Sequence, residues 1–137
     1  MALTRHQVRE RAFQVLFALN ANPDGDKDAL IQQVLTDDPI QAVPVPPYLQ
    51  ELVDGVLDHE EELDAQIKPY LKSGWTMSRI NKTDLILLRL ATYEINQVAD
   101  TPNRVAVNES LQLAKEYSDE KSRRFINGVL SHALENE

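Results

Sequence analysis

Cysteine is absent from the 137 residues, which removes disulfides, thiolate zinc sites and cysteine nucleophiles together and fits a reducing compartment. Glycine is scarce. Gly25, Gly55, Gly74 and Gly128 stand far apart, so no phosphate-cradling loop of the GxxxxGKS or GxGxxG kind can form. No serine occupies a GxSxG elbow. The three histidines, His6, His59 and His132, lack a second histidine at ligand spacing. His59 lies among Asp58, Glu60, Glu61 and Glu62, a stretch that reads either as a weak metal site or, more simply, as a solvated acidic helix face. No carboxylate pair sits in an apolar setting that would plainly raise a pKa. No apolar run approaches the roughly 20 residues of a membrane span, and the start, MALTRHQVRE, lacks the apolar stretch of a secretion signal. The expectation is a cytoplasmic binding protein and not an enzyme, with no metal and no cofactor.

What is present is ordinary globular composition, 42% hydrophobic and 26% charged, in a length suited to one domain. The net charge of −8 argues at first against a nucleic-acid ligand. The sum hides an asymmetry. Between Asp24 and Asp64 there are twelve acids and one base, Lys27. The remainder is net basic, with Arg5, Arg9 and Arg11 near one end and Lys121, Arg123 and Arg124 near the other. Brought together by the fold, these would make a basic patch suited to a polyanion; left apart, they are solvated surface charge.

The periodicity is helical throughout, which predicts an all-α fold of six to seven helices. Thr4 with Gln7 three residues on fits a capping box. Val8, Ala12, Val15, Leu16 and Leu19 then recur at helical spacing until Asn20, Asn22 and Pro23. Phe13 and Phe17 fall beyond that stripe, beside His6 and Arg9, so the helix either packs on two sides or offers aromatics to a partner. A second helix is predicted from about Asp26 to Thr36. After a proline-rich loop over 37–47, a third begins at Pro46-Pro47 and runs to Pro69. Residues from about Lys82 to Val98 are nearly all apolar, with only Lys82, Arg89 and Asn96 as a polar seam, which predicts the buried central helix. Two more helices cover about Arg104–Tyr117 and Glu120–Leu134. Asn127-Gly128, usually a hairpin signal, falls inside the last of these. A helix-interior glycine costs about 1 kcal/mol relative to alanine, so Gly128 marks close helix packing or a backbone approached by something else.

Basic residues interleave with aromatics at two places. Phe125 falls beside Lys121, with Arg124 further round its helix, and His6 and Arg9 flank Phe13 and Phe17. Rings beside cations suit single-stranded nucleic acid, where bases stack and phosphates pair; edge aromatics also serve simply as core.

Three stretches carry a resemblance: RAFQVLF from Arg11 to Phe17, DLILLRLATYE from Asp84 to Glu94, and VAVNESLQLAKEY with SRRFINGVL between Val105 and Leu130. With KPYL from Lys68 to Leu71 they span the chain in order, and it resembles the NusB family of bacterial transcription antitermination factors. The resemblance implies two packed three-helix subdomains, roughly 1–75 and 76–137, within one RNA-binding domain. It implies binding to the boxA element of ribosomal RNA leader transcripts together with the ribosomal protein NusE, and action within an RNA polymerase antitermination complex, without catalysis. Carried over by position, it implies RNA contacts at Arg5, His6, Arg9, Arg11, Tyr70, Lys121, Arg124 and Phe125. It places Phe17 and Asp84 on the NusE side. The N-terminal basic run is diluted here, RHQVRER, and Lys121 stands where some members carry an acid. A similar domain precedes the catalytic domain of some ribosomal RNA cytosine methyltransferases, but the end at Glu137 favours the stand-alone factor. A homodimer built on the wide apolar arc of the first helix, present when no ligand is bound, is the third expectation.

Overall fold

The computed structural model describes residues 3–38 and 40–135, and among these all regular structure is helical. Helix α1, Arg5–Ala21, begins at the expected capping box: Thr4 Oγ1 accepts from the Gln7 N–H at 3.1 Å and Gln7 Oε1 accepts from the Thr4 N–H at 2.9 Å. It packs against α2, Lys27–Leu35, and α3, Pro47–Asp58, on one side and against the central helix and its neighbour on the other. Packing on two sides explains the wide apolar arc. Phe13 is therefore core, 4% exposed, contrary to its place outside the predicted stripe, while Phe17 remains at the edge, 38% exposed.

The predicted third helix is two. α3 ends at Asp58 and α4 spans Glu60–Ile67. The His59 imidazole donates to the Gly55 carbonyl at 2.7 Å, and its own N–H turns to the Val56 carbonyl. A side chain has taken the acceptor that the helix would have used, and the axis breaks there. Gly55 has a separate role: a Cβ at that position would run into the Tyr93 ring, so the glycine lets α3 approach the central helix.

That helix, α5, Lys82–Gln97, is capped by the Asn81 side chain and buried continuously from Asp84 to Glu94. It packs against α1, α3 and α4 on one side and α6, Asn103–Tyr117, and α7, Glu120–Leu130, on the other. In its polar seam Arg89 is ion-paired. Arg89 makes a two-point contact with Asp64, 2.8 Å on each arm, and reaches Glu60 at 3.0 Å, tying α4 to α5. The last predicted helix also breaks, leaving a final turn, α8, His132–Glu135. Here the Ser131 hydroxyl and the His132 imidazole donate to the carbonyls of Gly128 and Val129.

Candidate nucleic-acid interface

A turn over Lys72–Trp75 follows the 3₁₀ segment Lys68–Tyr70, and Gly74 supplies its positive φ of 89°, a conformation open to glycine at no steric cost. The turn sets Trp75 over α7, its ring centroid 5.5 Å from that of Phe125. Between them and Tyr70 lies a groove of about 390 Å³, lined also by Lys72, Lys121, Arg124, Gly128 and Val129. Tyr70 is held face to face with His132, ring centroids 3.5 Å apart. The His132 ring is fixed in turn by its bond to the Val129 carbonyl at 2.7 Å. Across Trp75 and Phe125 the surface continues into a second hollow of about 300 Å³, with Arg79, Asp84, Asp119 and Ser122.

Four of the expected RNA contacts, Tyr70, Lys121, Arg124 and Phe125, thus meet in one place, joined by Trp75, Lys72 and His132, which the periodicity did not single out. The signal for Trp75 was the chain's sole tryptophan beside a turn glycine. Gly128 does not mediate helix packing as expected. A Cβ there would meet nothing within 4 Å, and the residue borders the open groove. A larger hollow of about 520 Å³ involves Asp37, Asp38 and Ile40. Its acidic rim is unsuited to a polyanion. No group of three or more histidine or acidic residues among the described residues is placed to hold a metal, the His59 stretch included.

The N-terminal basic residues are sorted differently from expectation. Arg9 is 3% exposed, and its Nε donates to both carboxylate oxygens of Glu94 at 2.9 and 3.0 Å. It is a structural ion pair and not a free phosphate contact, because its charge is already matched inside the core. Burial opposes the charged guanidinium, but Glu94 outweighs it and raises the Arg9 pKa. His6 sits between Glu109, 2.6 Å, and Glu116, 3.2 Å. The hydrogen bond to Glu109 leads in raising its pKa above the ordinary imidazole value. Arg11 is partly buried beside Glu10 at 3.3 Å. Arg5 is exposed and lies over the Tyr48 ring, 4.0 Å from its centroid.

None of the N-terminal bases lines the α7 groove or the second hollow; Arg5 lies instead by Tyr48, whose hydroxyl bonds to Glu94. On the expected partner side, Phe17 is exposed but Asp84 is not. Asp84 is 4% exposed, and its Oδ1 lacks a hydrogen-bond partner. Its backbone N–H, not its carboxylate, takes part in capping α5, because Asn81 supplies the acceptor. Burial pushes the Asp84 carboxyl up, with Asp119 adding to the shift while Ser122 and Asn81 oppose it.

The model of the NusB family matches residues 6–135. A protein of Levilactobacillus brevis, called transcription antitermination protein NusB, is 69% identical over 100% of this chain and 96% of its own. Its namesake in Lactiplantibacillus plantarum is 53% identical over 100% and 99%. A crystal form of T. maritima NusB superposes with a TM-score of 0.84 at 28% identity, covering 100% of this chain and 94% of that one. A structure of antitermination factors NusB and NusE in complex with dsRNA superposes at 0.80, 27% identical, covering 97% of each chain. None of the named relatives is called an enzyme. Matched over nearly its whole length in both sequence and fold, the chain belongs to the NusB family.

Proposed function

We propose that the chain acts in transcription antitermination by binding the boxA RNA of ribosomal RNA leaders jointly with NusE, as part of the RNA polymerase complex in the cytoplasm. The groove of Tyr70, Trp75 and Phe125, flanked by Lys72, Lys121 and Arg124, carries this reading. Stacking rings line a channel with cations at its edge, the combination an unstacked RNA strand requires. On a chain of net charge −8, the placement of these cations concentrates favourable potential there. The likeness to a NusB that was solved with NusE and dsRNA supports the choice of ligand and partner. Arg5 extends the RNA contact at a separate point, and exposed Phe17 is the anchor offered to NusE. Asp84 acts from beneath the second hollow and not as a surface contact.

The test is binding of the purified protein to boxA RNA and to a scrambled sequence, each with and without NusE. The expected result is tighter binding of boxA, strengthened further by NusE. Equal affinity for both RNAs, unaffected by NusE, would overturn the reading. Size-exclusion chromatography in the same conditions reports whether a homodimer dissociates when the ligands bind.

A further inference from the structure

Of the four basic residues near the N-terminus, Arg9, His6 and Arg11 each have a carboxylate within 3.3 Å, and Arg5 alone keeps its charge uncompensated among the described residues. Its guanidinium lies 4.0 Å above the Tyr48 ring centroid, within the range of a cation–π contact. The ring is itself fixed. Tyr48 Oη donates to Glu94 Oε2 at 2.6 Å, and Glu94, 1% exposed, also accepts at both oxygens from Arg9, whose guanidinium lies farther from the same ring, 6.0 Å from its centroid. Pro46 and Pro47 set the backbone just ahead of Tyr48 at the start of α3.

We propose that Tyr48 is a positioning residue for RNA, holding Arg5 flat so that its N–H edge faces a phosphate. This rests on the RNA-binding reading given above. The buried Arg9–Glu94 pair is neutral as a unit, so it anchors the tyrosine without drawing off the charge of Arg5. A guanidinium lying face-down on a ring keeps its donors pointing outward, which a pendant ammonium does not achieve. A side chain ordered before binding loses less entropy when the phosphate arrives. The Tyr48 phenol is pushed up to about 12, with burial the largest cause, so it remains a donor to Glu94 at neutral pH.

The experiment titrates boxA RNA at several salt concentrations against the wild type, Arg5→Ala, Tyr48→Phe, Tyr48→Leu and the double variant R5A/Y48L. Tyr48→Leu should weaken binding roughly two- to fivefold, the scale of one exposed cation–π contact. Arg5→Ala should weaken it at least as much and flatten the salt dependence by about one counterion. The double variant should bind like Arg5→Ala alone, and Tyr48→Phe, which keeps the ring, should bind within about twofold of wild type. Multiplying losses in the double variant, or wild-type binding by Tyr48→Leu, would overturn the positioning role while leaving RNA binding intact. A wild type that binds no RNA would overturn both readings together. If Tyr48→Leu does not fold by circular dichroism, NMR of the wild type decides. The Arg5 side-chain protons should be shifted upfield by the ring in both the free and the RNA-bound protein. Unshifted resonances in the bound state would overturn the proposal.

Discussion

Trp75 and Phe125 pack against one another at the groove, Trp75 exposed and Phe125 partly buried against the core. Replacing either by alanine should weaken boxA binding by about 1–3 kcal/mol, the usual value of one stacked base, with the melting temperature nearly unchanged for Trp75→Ala and lowered for Phe125→Ala, which also loses packing against the core. Titration and a melting curve on each variant check both halves of the expectation. Asp84 calls for the opposite experiment. A carboxyl whose pKa is raised on folding contributes stability at low pH and loses it as pH rises through the folded value. Ionising Asp84 is therefore less favourable in the fold than in the unfolded chain, in a buried setting where one oxygen has no hydrogen-bond partner. Asp84→Asn should melt above the wild type at neutral pH, and the gap should close as pH falls toward the ordinary carboxylate range. If the carboxylate instead contacts NusE directly, the variant will lose NusE affinity at unchanged stability, which would restore the role implied by the resemblance.

Among the helices, two interior glycines look alike in the sequence and differ in the structure. Gly55 is where α3 leans on Tyr93 of α5, and an added Cβ would collide with that ring. Gly55→Ala should destabilise by about 1–3 kcal/mol, because overpacking outweighs the gain in helix propensity. Gly128 has open space, so Gly128→Ala should raise stability by up to about 1 kcal/mol. Chemical denaturation distinguishes the two signs. The breaks at His59 and Ser131 belong to this scale as well. Apolar spacing continued across both, so one long helix was predicted at each place. The interruption comes from side chains that take backbone acceptors, a competition that hydrophobic periodicity does not register.

For the whole molecule, α5 is the shared wall, buried continuously and packed on helices from both halves of the chain. Leu88, fully buried at its middle, gives a direct test. Leu88→Ala should cost about 2–5 kcal/mol through lost burial and a residual cavity. Because both halves use the same helix, we propose that they unfold as one unit, with helicity and tryptophan fluorescence lost in a single transition. Separate transitions would mean that residues 1–75 and 76–137 are independent subdomains. Phe17→Ala tests the exposed edge of α1: NusE affinity should fall by about 2 kcal/mol if the ring anchors that partner. RNA binding without NusE should be preserved, since Phe17 lies outside the groove.

The all-helical class, the cap at Thr4, the central place of α5 and the basic–aromatic edge of α7 were determined by local patterns. Each depends on residues within a turn or two of one another, so the sequence states them directly. The fates of the N-terminal bases depended on groups far along the chain. Arg9 was withdrawn from the surface by Glu94, 85 positions away, and His6 was enclosed by Glu109 and Glu116. Only Arg5 was left facing outward, over Tyr48. Charge and spacing identify a basic residue, but whether that charge is already spent on a partner depends on which distant acid the tertiary fold brings within a few ångströms. Trp75 joined the groove for the same reason: a turn built around Gly74 set it over a helix some fifty residues later.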